Sequence, residues 1–167
     1  MKYALAAVGF TSISAQVLLL REFLATFYGN ELLFGIALSA WLAWTGIGAW
    51  AITKLRSFNR IGLGGFSAGL LVYGFLAGIQ ITFVRLVRTI LGTPPGAYVE
   101  FTFVAGAIII ILLPLCVLGG ALFTIGARLI IESGGTAGQA YAFESIGAFI
   151  GGLLFSFIPV SYTHLTL

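Results

Sequence analysis

Five long apolar stretches constrain what this chain can fold into. A helix that crosses a bilayer needs about 20 consecutive, mostly apolar residues. The stretches cover residues 3–20, 32–53, 61–84, 101–120 and 141–160. None of them alternates apolar and polar residues with a period of two, which argues against a transmembrane β-barrel. The sequence therefore predicts an all-α protein, a polytopic membrane helix bundle of about five transmembrane helices in contact with the lipid bilayer.

The composition excludes several other classes of protein. Of the 167 residues, 60% are hydrophobic and 8% are charged, and the mean hydropathy is +1.12. An ordinary soluble domain is about a quarter charged, so a typical cytosolic enzyme, a secreted disulfide scaffold and a disordered tail are all excluded. The eight Lys and Arg residues are scattered, which argues against a nucleic-acid partner.

The fourth stretch is longer than a single span requires. Its apolar residues continue from Phe101 to Ile131, and such a helix would be about 46 Å long against a hydrocarbon core of about 30 Å. Pro114 favours a kink because it lacks a backbone donor, and Gly119 and Gly120 follow. We predict a span that ends near Gly120 and continues as a helix along the membrane interface. A single tilted, kinked helix is the alternative.

The basic residues predict the orientation of the chain. Five of them fall on one side of the membrane, namely Lys2, Lys54, Arg56, Arg60 and Arg128. Three fall on the other side, namely Arg21, Arg85 and Arg88. Because cytoplasmic loops are enriched in Lys and Arg, we expect a cytoplasmic N-terminus. The first apolar run is too long for a cleaved signal peptide, so we interpret it as an uncleaved helix.

Small residues spaced by four predict close helix packing, because they share one helix face and let backbones approach. The third stretch contains the pairs Gly65 and Gly69, and Gly74 and Gly78; the fifth contains Gly147 and Gly151. The first stretch carries Gly9, Ser12 and Gln16 on one stripe. We expect these stripes to face other helices, either within the chain or in a homo-oligomer. Membrane helices are generally rich in Gly, which is the alternative explanation.

Ionisable residues at membrane depth are costly and are therefore functional candidates. The first cluster comprises Arg21, Glu22, Asn30 and Glu31, around the turn between the first two stretches. Arg21 and Glu22 are adjacent and diverge by about 100° on a helix, so we expect Arg21 to meet Glu31 across the turn. The cluster is interpreted either as an ion-pair set that ends the two helices or as a polar site at the membrane edge.

The second candidate cluster lies at the start of the fifth stretch and contains Gln139, Tyr141 and Glu144. Glu144 precedes Gly147 by three residues, so both lie on one helix face. A buried carboxylate there needs a cation or a hydrogen-bond donor, and Arg128 is the nearest basic candidate. The alternative is a carboxylate that simply stabilises the positive end of the helix dipole.

No catalytic, metal or cofactor site is predicted in this chain. The chain has one histidine, His164, and no Asp, which excludes a His-based metal site and a catalytic triad. Residues 45–51 loosely fit a glycine pattern for dinucleotides, but they lie within an apolar stretch with no preceding strand. The single cysteine, Cys116, has no internal disulfide partner.

Three segments together resemble a known family. The first segment covers residues 9–32, with Trp41 and residues 46–48 continuing it; the second covers Pro114 and residues 118–123; the third covers residues 138–157. Over most of its length the chain resembles the N-terminal membrane domain of membrane-bound spermidine synthase-like proteins, the polyamine aminopropyltransferases. The third segment has Glu144 where the family pattern is expected to have Asp.

The resemblance implies a transferase whose catalytic part is elsewhere. The family moves an aminopropyl group from decarboxylated S-adenosylmethionine to an amine, in a soluble α/β domain that this chain does not contain. We therefore expect a truncated domain from a bacterial plasma membrane, whose partner is the missing C-terminal part of the same protein. A chain that ends outside after five spans also predicts at least one further span. We interpret residues 160–167 as a non-native read-through tail, with an ordinary extracellular loop as the alternative.

The resemblance leaves several functions open. The domain either anchors the aminopropyltransferase domain or handles a polyamine-related substrate, for which Glu22, Glu31 and Glu144 are the candidate carboxylates. Two alternatives come from other classes. In the first, the chain is a fragment of a secondary transporter without an enzyme domain. In the second, it is a structural membrane assembly module.

Overall fold

The computed structural model describes residues 2–27, 31–55, 58–90 and 100–163, except for the side chains of residues 88–90 and 158–163. The described residues form five α-helices and no strand. The helices are α1 (Lys2–Phe27), α2 (Glu31–Lys54), α3 (Leu63–Ile90), α4 (Phe101–Glu132) and α5 (Ala137–Thr163), with a 3-10 turn at Phe58–Arg60. The predicted all-α architecture is confirmed.

Each of the five described helices is long and apolar enough to cross a membrane. The shortest apolar span, Ala137–Phe157, has 21 residues, and a helix of that length is about 31 Å long. By helix length and hydropathy the chain is an integral membrane protein, and lipid contact follows from its exposed apolar side chains.

Two helices continue past the charges that ended the predicted stretches. Helix α1 runs through Arg21 and Glu22 to Phe27, and α3 passes Arg85. Charge ends an apolar stretch without ending a helix, because the helix satisfies its own backbone and long side chains near its end reach the interface. Of the segment interpreted as a tail, residues 160–163 belong to α5, and residues 164–167 lie outside the described residues.

Helix α4 is one uninterrupted helix of 32 residues that contains Pro114. The span expected to end near Gly120 and its interfacial extension therefore form a single element, as in the single-helix alternative. Proline leaves the carbonyl of Ile110 without its usual backbone donor. On either side of that carbonyl, Trp44 Nε1 donates to the oxygen of Ile109 at 2.9 Å, and Gln80 Nε2 donates to the oxygen of Ile111 at 2.5 Å. The two bonds thus flank the freed carbonyl, at a place where neighbouring helices commonly help a membrane helix to tolerate proline.

The bundle is built around two close helix pairs, α1 with α5 and α2 with α4. Helix α3 packs against both α1 and α4. Consecutive helices run in opposite directions, so α1, α3 and α5 all start at one end, which we call the Lys2 end. The opposite end, where α1 and α3 finish, is called the Glu22 end.

The α1–α5 pair is held by contact between backbones. A Cβ atom on Gly147 would overlap the carbonyl group of Ala6, and one on Gly9 would overlap that of Glu144. A Cβ atom on Gly151 would lie 2.9 Å from the carbonyl oxygen of Phe10. The predicted pair Gly147 and Gly151 therefore lies against α1.

The α2–α4 pair uses the same device at two glycines that the spacing pattern did not single out. A Cβ atom on Gly48 would overlap the carbonyl of Val117, and one on Gly120 would overlap that of Thr45. Without a hydrophobic drive between helices in lipid, such close van der Waals contact is a main source of association.

The glycines of α3 behave differently. Gly69 lies against the side chain of Leu122 on α4. The one neighbour of Gly65 is Ile61, which lies four residues earlier in the chain. Gly74 and Gly78 have no such neighbour within 4 Å and are exposed. This face of α3 therefore packs against no other helix in the described part of the chain.

Candidate functional site

Tyr73 lies at the centre of the bundle, with its side chain fully buried on α3. Its hydroxyl interacts with the side chain of Ser12 on α1. Gly119 on α4 leaves room for this hydroxyl, since a Cβ atom there would lie 2.9 Å from its oxygen. A buried hydroxyl without a partner is costly, so Ser12 and Gly119 together fix the position of Tyr73.

Cys116 adds a second polar contact at this level. Its thiol is buried on α4 and interacts with the side chain of Thr45 on α2. Cys116 also lies near Tyr73. The contact therefore brings α2 to the same site.

Glu144 on α5 is half-buried and interacts electrostatically with Tyr73. It lies seven residues after the start of α5 at Ala137, which is about 10 Å along the helix axis. Its backbone carbonyl faces Gly9. Glu144 has no ion-pair partner among the described residues.

These residues form what we call the central polar cluster, to which every described helix contributes one side chain. Its members are Ser12, Thr45, Tyr73, Cys116 and Glu144. Of these, sequence reasoning proposed only Glu144 as a chemical site. Tyr73, Thr45 and Cys116 are common in apolar helices, and no sequence signal brings them together from separate helices.

The expected pairing of Arg128 with Glu144 is wrong. Arg128 Nη1 lies 3.6 Å from Glu132 Oε1, and Nη2 donates to the carbonyl oxygen of Ile61. The guanidinium also lies 4.8 Å from the centroid of the Phe58 ring, a cation–π distance. These three contacts hold Arg128 at the connection between α2 and α3, and Glu144 is left without a cation.

The expected pairing of Arg21 with Glu31 is also wrong, because the described residues form no such ion pair. Instead Arg85 Nη2 donates to Glu22 Oε1 at 2.5 Å. The reason is the packing of the bundle: α1 contacts α3 more extensively than it contacts α2. The side chain of Glu22 is 19% exposed and that of Arg85 is 64% exposed.

The remaining candidates of the first cluster lie apart from this ion pair. Arg21 and Glu31 are exposed, and Asn30 lies outside the described residues. Arg85 was missed because it is 63 residues away in the chain. The alternating direction of the helices was the only available signal, since it puts the ends of α1 and α3 together.

Two polar residues at the start of α5 have a structural role that requires no ligand. The N–H of Gln139 donates to Thr136 Oγ1 at 3.2 Å, and the N–H of Thr136 donates to Gln139 Oε1 at 3.3 Å. This reciprocal pair is a capping box. Tyr141 follows on an exposed position, so Glu144 is the one member of the second cluster that reaches the bundle interior.

Gln80 is a further buried polar residue that the sequence analysis passed over. It lies on α3 with 5% of its surface exposed. Its Nε2 supports the Ile111 carbonyl, whereas its Oε1 has no hydrogen-bond partner among the described residues. A lone Gln within an apolar stretch was the available signal.

The described residues contain no group of three or more His, Cys, Asp and Glu side chains that could hold a metal ion. No protein-family model matches the chain, and no curated protein sequence and no solved structure matches it. The fold and the site therefore define a class only, a polytopic integral membrane protein with a polar cluster at the centre of its helix bundle.

Proposed function

We propose that this chain is the membrane domain of a spermidine synthase-like protein and that it binds a polyamine-related cation inside its helix bundle. The half-buried Glu144 carboxylate, which lacks an ion-pair partner in the described part of the chain, carries this proposal. A charged side chain at membrane depth is costly. A domain that only anchors an enzyme has no use for it, whereas a cation-binding domain requires it.

The chemistry of the cluster suits a protonated amine. An alkylammonium group has three N–H donors and no acceptor. The carboxylate of Glu144 supplies the opposite charge, and the hydroxyl oxygens of Tyr73 and Ser12 supply further acceptors. A buried ion pair is favourable only when such additional hydrogen bonds are made.

Binding of spermidine to the purified chain tests the proposal. In lipid nanodiscs we expect Glu144→Gln to weaken the affinity for radiolabelled spermidine about tenfold or more, because the charge partner is lost. Glu132→Gln is the matched control, since Glu132 is an exposed acid at the end of α4. The affinity of the Glu132→Gln variant for spermidine should stay within about twofold of that of the wild type. Circular dichroism and elution volume report whether both variants keep their fold. An absence of spermidine binding by the wild type, or an equal loss in both variants, contradicts the proposal.

The native reading frame downstream of residue 159 separates this proposal from its main rival. An aminopropyltransferase domain there supports a spermidine synthase-like protein. Six or more further spans without a soluble domain support a secondary transporter instead. A structural assembly module is favoured by one observation, the open Gly74–Gly78 face of α3, and a stable oligomer that Gly78→Leu disrupts would support it.

A further inference from the structure

Polar side chains occur at successive depths along the buried face of α3, toward α1 and α4. Tyr73 meets Ser12 at the first level, and Gln80 lies seven residues further along the same face of α3. Seven residues correspond to about 10 Å of helix. Arg85 meets Glu22 five residues beyond Gln80. Together with Glu144, these positions lead from the Lys2 half of the bundle to the Glu22 end.

Gln80 is the informative member of this series. Its neighbours on the buried face of α3 are apolar, including Phe66, Ala77 and Val84. The bond from Nε2 to the Ile111 carbonyl accounts for one half of the amide, whereas a buried amide oxygen without a donor destabilises the fold. The free Oε1 of Gln80 is therefore an acceptor placed midway through the bundle, with no donor from the described residues.

We infer that Glu144, Tyr73, Ser12, Gln80 and Glu22 form a route along which an amine crosses the bundle, and that Arg85 is a tethered cation that closes its Glu22 end. This inference rests on the proposed function, since it takes the same class of substrate. The two carboxylates balance the charge of the amine at the two ends of the route. The hydroxyl and amide oxygens between them accept its N–H groups.

The exposures of the ion pair suit a gate. Glu22 is mostly buried, whereas the side chain of Arg85 is 64% exposed and lies at the surface of the bundle. The amine and Arg85 then compete for one carboxylate. Removal of Arg85 should therefore ease entry of the amine, and removal of Glu22 should prevent it. A purely structural ion pair gives a different pattern, in which both substitutions impair the protein in the same direction.

Spermidine uptake into proteoliposomes that contain the full chain tests this inference. We expect Arg85→Gln to lower the half-saturating spermidine concentration several-fold and Glu22→Gln to reduce uptake about tenfold or more. The double variant should behave like Glu22→Gln alone, because Arg85 acts only through that carboxylate. Gln80→Leu should reduce maximal uptake, whereas the control Thr82→Val should not, since Thr82 is an exposed residue of α3 that bonds its own helix at Gly78.

The outcomes separate this inference from the proposed function. Binding of spermidine in nanodiscs without uptake by the wild-type chain overturns the route and leaves the proposed function standing. An absence of binding overturns both. Equal losses of uptake in Arg85→Gln and Glu22→Gln overturn the gate. Melting temperatures of the variants show whether a loss of uptake reflects unfolding, and a folded Gln80→Leu variant with normal uptake removes Gln80 from the route.

Discussion

At the scale of single residues, some glycines of this bundle lie against another helix and others lie on an uncovered face. The spacing of four occurs in both α3 and α5. Of these spaced pairs, the one in α5, Gly147 and Gly151, meets the backbone of another helix, whereas the pairs in α3 do not. Spacing predicts which residues share a face, because it follows from helix geometry. It does not predict whether a partner helix covers that face, which depends on the packing of the whole bundle.

Alanine at Gly147 and at Gly78 should change stability in opposite directions. In Gly147→Ala the added Cβ overlaps the Ala6 carbonyl, so we expect a loss of about 1–3 kcal/mol from overpacking. In Gly78→Ala nothing is in the way, and the better helix propensity of Ala gives a small gain of up to about 1 kcal/mol. Reversible unfolding in mixed micelles measures both. Equal effects at the two positions would refute the assignment of α5 as the close partner of α1.

Tyr73 separates packing from chemistry within the central polar cluster. Tyr73→Phe keeps the buried ring and removes the hydroxyl that interacts with Ser12. We expect spermidine affinity to fall by a factor of about 3–10, the worth of one hydrogen bond. The thermal stability should change little, because Ser12 is only partly buried and can bond elsewhere. An unchanged affinity would show that the hydroxyl does not contact the amine.

At the scale of the elements, the number and the approximate limits of the helices could be predicted from hydropathy alone. The continuity of α4 could not. Pro114 and the glycine pair are local signals for an interruption, and local signals were all that the sequence offered. The helix continues through Pro114, and Trp44 and Gln80, on two other helices, donate to the carbonyls on either side of Ile110.

The contribution of Trp44 to α4 should depend on the proline. Trp44→Phe removes the bond to Ile109, and we expect a loss of about 0.5–1.5 kcal/mol. In a Pro114→Ala background, where the backbone donor is restored, the same substitution should cost less. A double-mutant cycle in unfolding free energy measures the difference, for which we expect a coupling of about 0.5 kcal/mol or more. Strict additivity would mean that the indole does not compensate for the proline.

At the scale of the whole molecule, the ion pairs show what a one-dimensional pattern leaves out. The sequence placed Glu22, Glu31 and Arg21 near one membrane edge, but their pairing depends on which helices are neighbours. Hydropathy does not contain that information, and the adjacency of α1 and α3 selected Arg85 instead. The same holds for the central polar cluster, whose members come from five helices and share no motif.

The excess of basic residues at the Lys2 end predicts that this end is cytoplasmic. Variants with one added cysteine test the orientation, because the native Cys116 is buried and should not react. Ser133→Cys is exposed at the Lys2 end, and Thr102→Cys is exposed at the Glu22 end. In intact cells a membrane-impermeant maleimide should label Thr102→Cys alone, and both should react after lysis. Labelling of Ser133→Cys in intact cells would reverse the orientation.

The pairing of α1 with α5 has a consequence for how the chain is made. The first described helix to enter the membrane finds its closest partner in the last, and α2 waits in the same way for α4. Until α5 has been synthesised, the face of α1 at Gly9 lacks its closest partner helix, so the α1–α5 contact is the last close pair of the bundle to form. A ribosome that stalls before Ala137 would leave α1 in the membrane with its glycine face uncovered by α5.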